Sequence, residues 1–237
     1  RATARQEAAL VMAAEDEARR VVSRLRERGI ETIALKGLVS NDQVHRPRGW
    51  LRDPGDVDLL VRAEQADSAR AAFADDPDYE FSREFEPGFY REHHHLRPFA
   101  RRGRWATPVE LHRRASGVGT GNVTIDHQGC WQRSIPFPLL GEGARRLEDL
   151  DQCLLTAIHI DRDDAYRQRA RQLLDLALWW DRCQDRSPAL FERAREWNAE
   201  STLVRAFEVL DAMLGRRLRT VRSRSEEHTS ELQSLLI

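Results

Sequence analysis

Lysine is almost absent from this chain: Lys36 is the single one among 38 Lys and Arg, leaving 37 arginines as the other basic residues. Excess charge of either sign is absent too, because 39 Asp and Glu bring the net charge to −1. A near-neutral chain lacks the broad basic field of a general nucleic-acid binder, so nucleic acid is not expected as a partner. Cysteine is scarce. Cys130, Cys153 and Cys183 lie far apart and never in a Cys-x-x-Cys spacing, which argues against a disulfide framework or a zinc site built on them and points to a reducing, cytoplasmic compartment. No apolar run approaches the roughly 18 residues of a membrane span, and no stretch reads as a signal peptide.

What is present is a chain of 237 residues with 32% charged side chains, enough for one α/β domain and a helical extension. Leu10, Val11, Ala14, Ala18, Val21, Val22 and Leu25 recur at helical spacing over 2–28, and Gly29 reads as the stop. Ile30 to Leu35 reads as a strand that Lys36-Gly37 turns into a helix of about two turns. Pro47 is expected to end that helix in a polar loop over 45–49. An apolar strand follows at 56–61, then a helix over 63–74, and then strands at 79–83, 93–99 and 108–112. Beyond Gly141-Glu142-Gly143 the character changes. Residues 146–215 hold a single proline, and Leu154, Ile158, Leu173, Ala177 and Trp180 mark helical apolar faces. Ser187-Pro188 reads as the cap and first residue of a helix, Gly215 as a stop, and Trp179, Trp180 and Trp197 as packing residues. The expected fold is therefore α+β, a small mixed β-sheet flanked by helices and followed by a C-terminal helical bundle. The division expected is 1–140, 141–220 and a tail at 221–237. Within that tail, residues 224–234 resemble the conceptual translation of a sequencing-adapter oligonucleotide and are set aside from function.

The chemistry concentrates at Asp56-Val-Asp58, where two carboxylates share one strand face about 6.6 Å apart along the chain and can converge on one hard cation. Glu110, polar within an apolar run, supplies a third acid if its strand pairs beside theirs. Such a cluster suits phosphoryl transfer with one or two Mg²⁺ ions. A strand-edge turn, with Asp56 capping backbone and Asp58 in solvent, is the alternative. Lys36-Gly37 sits at a strand-to-helix turn, where glycine permits close approach and an anion such as triphosphate is favoured; a solvated lysine is the alternative. The remainder of a P-loop is missing. Arg52 is a candidate to clamp a phosphate or to orient a carboxylate bidentately. His93, His94 and His95 would alternate faces on a strand, so a single functional histidine such as His94 is expected rather than a zinc site. His112 shares a face with Glu110 and is a candidate for positioning substrate or supporting the acids. Arg101-Arg102-Gly103-Arg104 reads as a solvated turn.

Taken in order, Ala34-Leu-Lys-Gly37, Leu51-Arg52, Asp56-Val-Asp-Leu-Leu-Val61 and Val109-Glu-Leu-His112 resemble the uncharacterised nucleotidyltransferase family of bacteria. That family is similar to the polymerase-β-like nucleotidyltransferase superfamily. The resemblance implies a small mixed sheet with helices and transfer of a nucleoside monophosphate from an NTP to an acceptor. It also implies that Asp56 and Asp58 are the metal-binding pair, with Glu110 at the third acidic position. Lys36-Gly37 falls where the superfamily usually carries a Gly-Gly or Gly-Ser turn around the phosphates. The expected function is Mg²⁺-dependent nucleotidyl transfer to an unidentified small molecule or protein. An inactive nucleotide-binding module and a metal-dependent phosphohydrolase are the rivals.

Overall fold

The computed structural model describes residues 4–49, 52–83, 86, 88–103, 106–117, 122–162 and 166–214. Leu51, Arg104, Gly215 and the 224–234 segment lie outside them. Helix α1 (Ala4–Arg26) buries Val11, Ala14, Ala18, Val21, Val22 and Leu25 of the expected stripe and leaves Leu10 half-buried, and Gly29 closes it at φ +70°. Strand β1 (Thr32–Ala34) then leads into α2 (Lys36–Ser40). The loop expected over 45–49 is instead helical. A π turn (Asn41–His45) and a 3₁₀ turn (Arg46–Arg48) carry the chain to Gly49 at φ +72°. Pro47 is tolerated there because it falls in the first turn of a new helical segment, where its missing N–H costs nothing.

Strand β2 (Val57–Leu60) follows, then a 3₁₀ turn (Ala63–Gln65), α3 (Ala66–Ala74) and β3 (Tyr79–Phe81). The strand expected at 93–99 is displaced. A short helix α4 (Phe89–Glu92) comes first, the chain bends at His93 and His94, and only His95 bridges to His112 before β4 (Phe99–Arg101) begins. Next come β5 (Val109–His112) and α5 (His127–Arg133), whose cap Asp126 accepts the Gly129 N–H at 2.8 Å. A hairpin of β6 (Ile135–Pro136) and β7 (Ala144–Arg146) closes the sheet. Seven strands lie in the order β3-β4-β5-β2-β1-β7-β6, mixed in direction: β2 runs parallel to β5 and β1 parallel to β7, and the other neighbours are antiparallel. The boundary expected near residue 140 thus falls between two paired strands.

Helices α6 (Asp149–Arg162), α7 (Tyr166–Cys183), α8 (Ser187–Glu196) and α9 (Glu200–Leu214) form the C-terminal bundle, with α6 packed against the other three. Ser187 is already inside α8, with Arg186 at the cap. Leu154, Ile158, Leu173, Ala177 and all three expected packing tryptophans are buried. One continuous apolar cluster joins Ile33 and Leu59 of the sheet to Leu154 and Trp179 of the bundle. Trp179 also donates its Nε1–H to Ser40 Oγ of α2 at 3.0 Å, so the bundle is keyed to the turn that carries Lys36.

Candidate active site

The turn after β1 sets the first group. Leu35 is extended (φ −118°), and Lys36 then adopts φ +50°, a left-handed conformation that costs a residue with a Cβ about 1–2 kcal/mol. This swing brings Lys36 Nζ to 2.8 Å from Asp58 Oδ1. Gly37 meets protein rather than open space, since a Cβ there would stand 3.1 Å from the Cα, Cβ and carbonyl oxygen of Pro54. The segment leading into β2 therefore lies directly on the start of α2. Asn41 pins it further: Oδ1 accepts the Arg52 N–H at 3.0 Å while Nδ2 donates to Arg52 O. Arg52 both lines the cavity over the acids and contacts a carboxylate. Its guanidinium grips a carboxylate, Asp175 of α7, through Nε at 3.0 Å and through Nη2.

The acids come together because β2 and β5 are parallel and in register, Asp58 beside Glu110 and Leu60 beside His112. His112, fully buried, has Nε2 at 2.7 Å from Asp58 Oδ1 and 3.5 Å from Glu110 Oε2. It touches the acids and is sealed from the cavity. Asp58 Oδ1 is thus occupied by Lys36 and His112. Its Oδ2, on a side chain only 1% exposed, has no hydrogen-bond partner among the described residues. Asp56 stands one residue before β2, outside the ladder.

Electrostatics separates these carboxyls. Burial and the negative Asp58 push Asp56 up to about 7. Burial would raise Asp58 as well, but Lys36 and His112 overcome it and hold the group far below the usual carboxylate range. Glu110 is likewise lowered, its burial offset by the His112 hydrogen bond. Lys36 is raised because Asp58 and Asp56 outweigh its burial. His94 is pushed down to about 2 by burial and by neighbouring His112, and stays neutral.

A cavity of about 400 Å³ opens over this cluster. Lys36, Gly37, Asp56, Asp58 and His94 line one side, and α6 and α7 supply Gln152, Thr156, Arg171 and Asp175 to the lining. Glu110 is not among the lining residues. The bundle residues had no sequence signature. Their helices read as apolar stripes, and which polar residue faces a cavity depends on packing. Gln152 is completely buried, with Nε2 3.5 Å from Thr156 Oγ1 and Oε1 without a hydrogen-bond partner among the described residues. Arg171 Nη1 donates to Asp53 O at 3.2 Å, a second tie from α7 to the segment before β2.

No curated protein matches the chain. Among solved structures it resembles an antigenic nucleotidyltransferase-like protein from Paracoccidioides brasiliensis, at 15% identity over 83% of this chain and 92% of that one, with a TM-score of 0.44. A family model described as an uncharacterised nucleotidyltransferase matches residues 1–215, a span that includes every element of the site. By that match the chain belongs to the uncharacterised nucleotidyltransferase family.

Proposed function

We propose that the chain moves a nucleoside monophosphate from an NTP onto an acceptor hydroxyl, with Asp56, Asp58 and Glu110 holding Mg²⁺. The observation that supports this best is Asp58 Oδ2, a buried carboxylate oxygen without a hydrogen-bond partner among the described residues, beside a second acid that burial and the negative Asp58 keep half protonated near neutrality. Buried anions need compensation, and an all-oxygen donor set suits a hard cation. Bound there, Mg²⁺ supplies positive charge to the phosphoryl oxygens and acidifies the acceptor hydroxyl.

The chain's own groups take up the remaining tasks. Lys36 commits one of three N–H donors to Asp58 and can turn the others to a triphosphate in the cavity. His112 donates to Asp58 and keeps it ionised. Arg52 and Arg171 hold the segment that carries Asp56, and neutral His94 faces the incoming substrates. Gln152 and Thr156 on α6 shape the acceptor side.

The Lys36–Asp58 ion pair favours a second reading, a nucleotide-binding module without turnover, because the ammonium occupies an oxygen that a metal would use. One assay separates the readings. Full-length protein is incubated with Mg²⁺ and each NTP, with cell extract as the acceptor source, and pyrophosphate is measured beside Asp58→Asn. Extract-dependent release that disappears in the variant supports nucleotidyl transfer. NTP binding without release supports the module, and free NMP formed without extract supports a phosphohydrolase.

A further inference from the structure

On a strand, three consecutive histidines would point to alternate faces, but His93 and His94 sit in a bend, and the restriction does not apply. Their rings gather instead. Centroids stand 4.2 Å apart for His93–His94, 4.2 Å for His93–His95 and 4.7 Å for His94–His95, and one ring nitrogen of each lies within 4.8 Å of the others. We propose that His93, His94 and His95 form a nitrogen-donor site for one first-row transition cation of the Zn²⁺ class, distinct from the carboxylates that take Mg²⁺.

The backbone is held at the middle of the tripeptide and just beyond it. His94 O accepts N–H bonds from Arg113 at 2.9 Å and Arg114 at 3.2 Å, and Leu96 N–H donates to Leu111 O at 2.8 Å. Phe89 stacks on the His93 ring at 4.8 Å. The tautomer of His95 follows from its partner. Nδ1 lies 2.7 Å from Leu96 O, a carbonyl that can only accept, so the proton is on Nδ1 and Nε2 carries a lone pair. That lone pair stands 3.7 Å from Glu110 Oε2, two electron-rich groups face to face, an arrangement a nearby cation stabilises. Zn–N bonds of about 2.0–2.1 Å put tetrahedral donors ~3.3 Å apart, so the nitrogens must close by up to about 1.5 Å, within reach of side-chain rotation. Three imidazoles leave such an ion one open position. Neutral nitrogen donors select Zn²⁺, Co²⁺ or Ni²⁺ over Mg²⁺, so the two adjoining sites differ in donor chemistry. This inference stands whether or not the acids support nucleotidyl transfer.

The test is a Co²⁺ titration of the full chain in excess Mg²⁺, which masks the carboxylates, followed by visible absorption and by calorimetry with Zn²⁺. One equivalent with nitrogen-type Co²⁺ bands is expected. Affinity should fall by more than roughly the 100-fold that loss of an outer-shell partner can cost in His93→Ala/His94→Ala, and binding should persist in Asp56→Asn. In the unaltered protein, Zn²⁺ should slow diethylpyrocarbonate modification at His93 and His94, read by peptide mass spectrometry. This arm needs no variant to fold. Absence of Co²⁺ binding in Mg²⁺, no Zn²⁺ protection, or binding that survives the histidine changes but is lost in Asp56→Asn would each overturn the site.

Discussion

Arg52 and Asp175 form a two-pronged ion pair that ties the segment entering β2 to the middle of α7. Asp175 is 4% exposed and also accepts from His45 Nε2 at 2.6 Å, so one carboxylate joins α7 to both the π turn after α2 and the approach to the acids. Sheet and bundle therefore meet at the rim of the cavity through a buried charge.

Removing Arg52 strands that charge. Loss of one partner of a buried pair costs about 3–5 kcal/mol, and His45 retains part of the compensation, so Arg52→Ala is expected to lose about 3 kcal/mol in urea denaturation. A loss below about 1 kcal/mol would mean that water already screens Asp175.

Gly37→Ala introduces a Cβ 3.1 Å from three atoms of Pro54, two of them backbone. Overpacking of this kind costs about 1–3 kcal/mol. Because the displaced segment carries Asp56, Mg²⁺ affinity should fall together with stability; calorimetry showing unchanged affinity would place the strain elsewhere.

Lys36→Gly and Lys36→Ala remove the same ammonium and differ in backbone cost at φ +50°. Lys36→Gly should be the more stable of the two by about 1 kcal/mol, the reverse of the order in an ordinary helix. Equal melting temperatures would show that the turn relaxes out of the left-handed region.

Asp56 stands at about 7 in the folded chain against an ordinary 3.8. A carboxyl with a raised folded pKa binds more protons folded than unfolded, so its share of the stability falls as pH climbs from about 4 to 7. His112, also raised, loses its contribution in the same direction above 6.5, whereas the lowered Asp58 and Glu110 lose theirs only on acidification. Without divalent ion, the melting temperature should therefore drop between pH 5 and 7.5, and Asp56→Asn should flatten the drop. Mg²⁺ binding should release protons near pH 6.5 and few at pH 8, measurable by calorimetry in buffers of different ionisation heat. Affinity that is flat from pH 6 to 8 would contradict the raised Asp56.

The acids stood out in the sequence because two carboxylates open one apolar run and Glu110 interrupts another; the period-2 argument assumed a strand from residue 56, whereas Asp56 stands in a bend one residue before β2. What spacing does not carry is register; the pairing of Asp58 with Glu110 was a condition that the parallel β2–β5 ladder meets. Apolar stripes on α1, α6 and α7 were equally readable, since burial follows periodicity. The histidine tripeptide misled for a local reason: alternation holds only on a strand, and two backbone bonds from Arg113 and Arg114 hold this segment in a bend. Asp175 and Gln152 were invisible because a polar residue on an amphipathic helix acquires its task from whatever the helix is packed against. The short β6 and β7 offered too few residues for any pattern to register.

Strand β1 is bordered by β2, which pairs Ile33 with Leu60, and by β7, which pairs Ile33 with Arg145. During synthesis all three acids leave the ribosome before Ala144 does. Until then one edge of β1 presents open N–H and C=O groups, the kind of edge that recruits strands from other chains. A nascent chain paused between His112 and Ala144 would hold all three acids and still expose that edge, a state prone to aggregate.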